Sequence, residues 1–226
     1  MYTLPVALPA RQVDVVSDPA AGAALMDPLR RRLLGALTDG PDSASGLARR
    51  FGMPRQKLNY HLREMEKAGL LRLVEERKKG NCTERVVQAV ATHYLISPEL
   101  LGELGPEPER VRDRFSWGYL VAVASKAIRE LAVLRRRADA VNKPLQTLTL
   151  QTEVRFSCPA HLNEFSEELS NAVAGLAAKY HNEQAPQGRL FRFFVGAYPA
   201  ITKTEEEARA EADAAARAPG AKGASA

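Results

Sequence analysis

The chain has 226 residues, 45% of them hydrophobic and 26% charged, as is usual for a globular protein that can bury its own core. Cys82 and Cys158 lie far apart in the sequence and have no cluster of histidines beside them, so neither a disulfide framework nor a zinc site is indicated. Leader and membrane-spanning patterns are absent, and we expect a cytoplasmic protein. The net charge of +5 is concentrated in residues 27–96, where 14 Lys and Arg face 8 Asp and Glu. Such an excess suits a polyanionic partner.

The N-terminal part predicts an arm followed by helices. Residues 1–20 contain three prolines and little periodicity, which is typical of a flexible arm. Residues 21–37 show a helical pattern, in which Asp27-Pro28 either starts a second helix or kinks a longer one. Beside its leucine stripe lie Arg30, Arg31 and Arg32. A solvated face is the simpler interpretation of these arginines, and a phosphate contact by one of them is the alternative.

Residues 43–71 predict two helices joined by a tight turn. Ser43 is a candidate N-cap for a helix over residues 44–51, and Gly52 can adopt the positive φ that the turn requires. The second helix, over residues 54–68, turns apolar side chains inward at helical spacing: Leu58, Leu62 and Met65. Its other face carries hydrogen-bonding side chains: Arg55, Gln56, Asn59, Tyr60 and Arg63.

A β-hairpin is predicted over residues 71–91. An apolar and β-branched run is followed by the turn sequence Lys78-Lys79-Gly80-Asn81, after which the chain returns through Val86, Val87 and Val90. Residues 92–96 are expected to extend the second strand. A helix, a glycine turn, a helix and then a hairpin with a basic tip is the element order of a winged helix, in which the second helix enters the major groove.

Three stretches resemble the ArsR-type winged-helix transcriptional regulators. They are Asp27 to Leu34, Gly46-Leu47-Ala48, and Leu58 to Leu71 with its His61-Leu62 pair and Ala68-Gly69-Leu70 end. The resemblance covers roughly residues 25–96. The Cys-x-Cys motif of metal-sensing members is absent and a long C-terminal extension is present, so we expect no metal and no cofactor.

The chemistry of the exposed side chains predicts which of them contact double-stranded operator DNA, and whether each contacts a base or the backbone. Arginine suits guanine, and glutamine or asparagine suits adenine, so the base-edge candidates are Arg55, Gln56, Asn59 and Tyr60. Candidates for the DNA backbone are the cationic side chains Arg49, Lys57, Arg63, Lys78 and Lys79. The recognition helix would thus be 54–68 and the wing 71–91.

The remaining chain predicts a long helix and a small β-α-β unit. A Pro/Gly stretch after residue 104 ends the winged-helix domain of residues 21–104, and the helical pattern within residues 105–142 exposes more apolar surface than one small domain covers. We expect this helix to dimerise through Phe115, Trp117, Ile128 and Leu131; the alternative is that it connects two lobes of a monomer.

Residues 143–200 predict strands over 145–157 and 190–195 around a helix over 159–182, a unit for dimerisation or effector binding. Residues 201–226 predict a disordered tail, in which the first part can form a transient helix and disorder is expected by Pro219.

The sequence therefore predicts an α+β fold: an N-terminal winged helix-turn-helix domain, a long connecting helix and a small C-terminal β-α-β unit. The function predicted is that of a homodimeric, sequence-specific DNA-binding transcriptional regulator. Two alternatives stay open: a small-molecule-responsive receptor whose C-terminal unit is the main functional part, or a winged-helix module that binds protein. Five aromatic residues are candidates to line an effector pocket, and core packing explains them equally well: Trp117, Tyr119, Phe165, Phe191 and Phe193. No nucleophile motif, carboxylate pair, phosphate loop or metal set indicates an enzyme. An inert Cys158 is simpler than an activated one.

Overall fold

The computed structural model describes residues 10–79 and 82–217. It divides into one unit that extends to Gly188 and a second that begins at Arg189. The first unit contains, in order, β1 (Arg11–Val16), α1 (Pro19–Met26), α2 (Pro28–Thr38), β2 (Asp42–Ser43), α3 (Ala44–Phe51), α4 (Arg55–Lys67), β3 (Leu71–Lys79), β4 (Cys82–Ala89), β5 (Ala91–Ile96), α5 (Trp117–Ala140) and α6 (Pro159–Tyr180). Short 3-10 helices at Pro98–Leu104 and Pro108–Arg110 precede α5, and the second unit contains α7 (Glu205–Arg217). Within the described ranges, no helix combines the length and the apolar character needed to cross a membrane.

Strand β1 corrects the prediction of a flexible arm over residues 1–20. It pairs in parallel with β5, so that Arg11 is aligned with Ala91 and Val16 with Ile96. Its β-branched valines suit a pleated strand, and Val16 is buried. Residues 1–9 of the predicted arm lie outside the described residues.

Strand β5 corrects a second prediction, since residues 92–96 do not continue the hairpin. They belong to the separate two-stranded sheet formed with β1. Tyr94 connects this sheet to the start of the hairpin, because its hydroxyl donates to the Leu70 carbonyl at 3.3 Å and accepts from the Ala91 N–H at 3.1 Å. Burial raises the pKa of Tyr94, because desolvation disfavours the phenolate, and the neutral hydroxyl is the form that donates to the Leu70 carbonyl.

Of the two alternatives at Asp27-Pro28, the structure shows a fresh helix. Asp27 ends α1 and caps α2, and its Oδ1 accepts from the N–H groups of Leu29 at 2.8 Å and Arg30 at 3.0 Å. The hydrogen bond from the Arg30 N–H is the main cause that lowers the pKa of Asp27; burial opposes it, while the Leu29 N–H and the charge of Arg30 add to the lowering. The carboxylate therefore fixes the start of α2.

Asp27→Ala is expected to lower the free energy of unfolding by about 1 kcal/mol at neutral pH, because the N-cap acceptor is lost. Since the folded-state pKa of Asp27 is lowered, its stabilisation is full well above 3.8 and is lost as the pH falls through the folded-state value. Urea titrations from pH 7 downward measure the gap between variant and wild type. Asp39→Ala, at the exposed other end of α2, is the control and should change stability little. A gap for Asp27→Ala that stays constant down to the lowest pH would contradict the assignment.

The helix pair agrees with its sequence signals. Ser43 Oγ accepts from the Gly46 N–H at 3.1 Å and caps α3, and Gly52 ends that helix with φ 63°. Gly69 follows α4 with φ 72°, as expected for a left-handed helix end. The apolar stripe of α4 is buried in the core of this unit: Leu58, Leu62 and Met65. Pro54 is the N-cap of α4 rather than its first residue.

The hairpin forms a three-stranded sheet in the order β2-β4-β3. Strands β3 and β4 pair antiparallel from Leu71 and Ala89 out to Lys79 and Cys82. A register shift between Leu73 and Glu75 marks a β-bulge, which increases twist and bends the strand. The predicted turn residues Gly80 and Asn81 lie outside the described residues.

The long helix is shorter than predicted. It begins at Trp117 because Ser116 caps it, with Ser116 Oγ accepting from the Tyr119 N–H at 3.2 Å. Its inner face is lined by small residues that allow close packing: Ala122, Ser125 and Ala132. Ion pairs join it to the preceding 3-10 turns, Arg129 with Glu107 at 2.9 Å and Lys126 with Glu109 at 2.5 Å.

The C-terminal strands are the largest difference from the sequence prediction. Residues 145–157 and 190–195 are not strands in this single chain, whereas α6 forms much as predicted. A strand needs a neighbouring edge to satisfy its N–H and C=O groups, and period-two alternation does not supply that edge. The apolar stripe of α6 is exposed along its whole length.

Helix α7 (Glu205–Arg217) lies in the first part of the predicted tail over residues 201–226, where the sequence allowed a transient helix. Thr204 and Glu207 form a capping box, in which Thr204 Oγ1 accepts from the Glu207 N–H at 3.3 Å and Glu207 Oε2 accepts from the Thr204 N–H at 2.8 Å. Residues 218–226 of the predicted tail lie outside the described residues.

Candidate nucleic-acid interface

The outward face of α4 carries the predicted base-reading side chains. All four are exposed: Arg55, Gln56, Asn59 and Tyr60. Tyr60 is 58% exposed although it is an aromatic residue, and its ring meets His61 edge-on. Together these side chains offer paired donors, amide groups and a hydroxyl, which are the groups that base edges in a major groove can bind.

A cleft of about 140 Å³ separates α4 from β4. Arg55, Asn59 and Arg63 line it from α4, and Thr83, Glu84 and Arg85 line it from β4. Two of the four base-reading candidates, Arg55 and Asn59, therefore border the hairpin. Gln56 and Tyr60 do not line the cleft.

Helix α4 is held in place by α2 and α3. Arg30 Nε donates to His61 Nδ1 at 3.4 Å, which makes a polar contact between α2 and α4. Arg32 lies 5.3 Å from the centre of the Phe51 ring, close enough for a cation-π contact with α3. Two of the three arginines of α2 thus contact the helix pair, while Arg31 is exposed.

The predicted backbone contacts are spread over three elements. Arg49 on α3, Lys57 and Arg63 on α4, and Lys78 on β3 are exposed, whereas the side chain of Lys79 lies outside the description. Arg63 Nη1 is 3.8 Å from Glu66 Oε2. Lys57 does not line the cleft, so these cations do not form one cluster around it.

Sequence reasoning missed the polar contacts that join the hairpin to the helices. Arg85 Nη2 donates to Glu66 Oε1 on α4 at 2.5 Å, and Ser43 Oγ donates to Glu84 Oε1 at 2.8 Å. Each contact joins residues far apart in the chain. Therefore no local spacing of residues in the sequence predicts these contacts.

The predicted dimer residues are only partly brought together. Trp117, Ile128 and Leu131 lie on one side of α5, at angles within about 60° of one another at 100° per residue. Trp117 is 81% and Leu131 43% exposed, and Ile128 is half-buried. Phe115 is fully exposed and precedes the N-cap Ser116, so it does not share the helical stripe.

The alternative effector-binding residues are exposed as well. Phe165 contacts Phe156, with ring centres 5.4 Å apart, while Phe191 and Phe193 in the second unit have exposed side chains. Cys158 is an exposed free thiol at the start of α6. Within the described residues, no group of three or more His, Cys, Asp and Glu is arranged to hold a metal ion.

Comparisons with known proteins cover part of the chain. A family model described as a helix-turn-helix domain matches residues 25–74. A crystal structure of an ArsR family transcriptional regulator is 33% identical, with the match covering 31% of this chain and 71% of that chain at a TM-score of 0.26. No curated protein matches the chain.

The element order and the exposed face of α4 define a winged helix-turn-helix protein. The match to the family model and the 33% sequence identity to the ArsR regulator identify the family within this fold class. The chain belongs to the ArsR-type helix-turn-helix transcriptional regulators, a class of DNA-binding proteins.

Proposed function

We propose that this protein is a homodimeric, sequence-specific DNA-binding regulator that acts on operator DNA in the cytoplasm. In the proposed complex, α4 enters the major groove and the β3-β4 hairpin lies along the DNA backbone. The observation that carries the proposal is the division of α4 into two faces: a buried leucine and methionine stripe, and an exposed face with Arg55, Gln56 and Asn59. A rigid helix that presents such side chains is suited to reading bases.

The charge of the domain supports this proposal. Residues 27–96 carry 14 Lys and Arg against 8 Asp and Glu, and several of these cations are exposed on elements beside α4. Binding to DNA releases condensed counterions for each phosphate that a cation neutralises. The proposal therefore implies affinity that falls steeply as salt concentration rises.

The outer face of α5 supports the homodimer. Trp117, Leu131 and Leu134 expose apolar surface there, while small residues cover the inner face. A single recognition helix reads few base pairs, and two-fold symmetry doubles the site. We therefore propose that α5 pairs with α5 of a second copy, which would bring a second α4 to the same DNA duplex.

Selection from a pool of random double-stranded DNA tests the proposal. We expect the full chain to enrich an inverted repeat whose half-sites are about 10 base pairs apart, centre to centre. Enrichment of a single half-site would contradict the dimer and keep the DNA function. Retention that depends weakly on salt and enriches no sequence would favour the alternative of a protein-binding winged helix.

Lys78→Ala together with Lys79→Ala is expected to weaken binding to the operator and to random DNA by the same factor, because phosphate contacts carry no sequence information. The slope of log K against log salt should become shallower by about 1–2. Filter binding or fluorescence anisotropy at four or five salt concentrations measures both quantities. If the slope of log K against log salt equals that of wild type, the tip of the hairpin does not contact the DNA backbone.

A further inference from the structure

Arg85 on β4 binds two carboxylates on two different elements. Its Nη2 donates to Glu66 Oε1 on α4 at 2.5 Å, and its Nη1 donates to Glu76 Oε1 on β3 at 2.7 Å. The side chains of Arg85 and Glu66 are each 23% exposed, so this ion pair is better shielded from water than a surface pair. The planar guanidinium can hold both carboxylates at once, which a lysine ammonium on a flexible stem does less well.

The place of Arg85 in the hairpin gives the contact a mechanical role. The bulge between Leu73 and Glu75 interrupts the regular ladder, and Glu76 and Arg85 are paired across the strands on the far side of it. A bulge bends its strand, so the far part of the hairpin needs a further contact to fix its direction. Glu66 provides that contact from the last turns of α4. On the neighbouring residue, Glu84 is joined to Ser43 at the start of α3.

Glu66 is an unusual residue for a DNA-facing cleft. It lines the cleft together with Arg55, Arg63 and Arg85, and a carboxylate there opposes the approach of phosphate. Its second contact is with Arg63, 3.8 Å away. A role in holding Arg85 explains why a negative charge lies in this position.

We propose that Arg85 and Glu66 are positioning residues that set the angle between the hairpin and the recognition helix, and thereby the ability to recognise an operator. The proposal rests on the proposed function, because the angle matters when both elements contact one DNA duplex. It assigns no direct phosphate contact to Arg85.

Glu66→Gln separates this role from simple electrostatics. Removing a negative charge beside DNA alone would tighten binding to every sequence. With a positioning role, affinity for the selected operator falls about tenfold, because the neutral amide oxygen of glutamine holds the Arg85 guanidinium less strongly than a carboxylate does, while affinity for random DNA stays the same or rises. Fluorescence anisotropy with both DNAs gives the ratio of the two affinities. A ratio equal to or above that of wild type would overturn the proposal.

Substitutions of Arg85 distinguish positioning from phosphate binding. Arg85→Lys and Arg85→Gln should lower the operator-to-random ratio alike and leave the salt slope unchanged. If Arg85 binds phosphate directly, Arg85→Gln lowers the slope by about one and Arg85→Lys keeps both slope and ratio; that result would overturn the proposal. Arg77→Gln is the matched control, since Arg77 pairs with Glu75 of its own strand at 2.8 Å, and its ratio should equal that of wild type.

A measurement without DNA keeps this inference separate from the proposed function. NMR order parameters of backbone amides in β3 and β4 beyond the bulge should fall in Glu66→Gln and stay unchanged in Arg77→Gln. Unchanged order parameters in Glu66→Gln would refute the positioning role even in a protein that binds DNA well. A wild-type protein that selects no DNA sequence would instead refute the proposed function, while lower order parameters in Glu66→Gln would still support the tie between the hairpin and α4.

Discussion

Ile128→Asp together with Leu131→Asp is expected to convert a dimer into monomers and to lower operator affinity by at least a hundredfold. Both residues lie on the outer stripe of α5, where Leu131 is 43% exposed in the single chain. Carboxylates placed in an apolar contact between two helices lose hydration without gaining a partner, which opposes association. Every candidate DNA contact is intact in this variant, so the loss of affinity would come from the loss of the second half-site.

Light scattering and anisotropy together measure this effect. A wild-type mass near that of one chain, 24.7 kDa, at micromolar concentration would contradict the dimer. The control is Leu101→Asp with Leu104→Asp, which adds the same two charges at exposed leucines outside α5. This control should remain dimeric, and a folded Ile128→Asp, Leu131→Asp variant that remains dimeric would move the interface elsewhere.

Arg55→Ala together with Gln56→Ala is expected to remove discrimination between the operator and its point variants at the bases that these side chains read. Each bidentate contact with a base contributes about 1–3 kcal/mol, so the pair amounts to roughly 2–6 kcal/mol of specificity. Fold stability should hardly change, because both side chains are exposed at the first turn of α4.

Competition against a set of single-base operator variants measures the discrimination. Lys78→Ala serves as the contrast, since loss of a phosphate contact weakens all of these DNAs equally. An unchanged order of preference in Arg55→Ala, Gln56→Ala would show that another face of α4 reads the bases.

The helix pair could be predicted because each of its signals is local. Ser43, Gly52 and Gly69 act through hydrogen bonds and φ angles within a few residues, and the apolar spacing of α4 sets its buried side directly. The same locality explains why the exposed face of α4 was assigned residue by residue. The capping box of Thr204 and Glu207 is equally local and was available as a signal for α7.

The features that the sequence did not predict correctly have a common physical cause: they depend on pairing between segments that are distant in the chain. Arg11–Val16 forms a strand because Ala91–Ile96 offers a parallel edge, and no pattern within residues 1–20 reveals that edge. For residues 145–157 the error is the opposite one: the alternating sequence predicts a strand, but in the single chain no neighbouring strand pairs with it. The bridge of Arg85 to Glu66 likewise depends on how β4 approaches α4, which follows only from the packed structure.

The parallel pairing of β1 with β5 also constrains the order in which the chain can fold as it is synthesised. Residues 11–16 leave the ribosome before the helix-turn-helix, yet the strand that completes their hydrogen bonds ends at Ile96. By then α1 to α4 and the hairpin have been made, and their contacts close shorter loops. Strand β1 is therefore among the last elements of its domain to be fixed, and α5 can pack beside β1 only after that step.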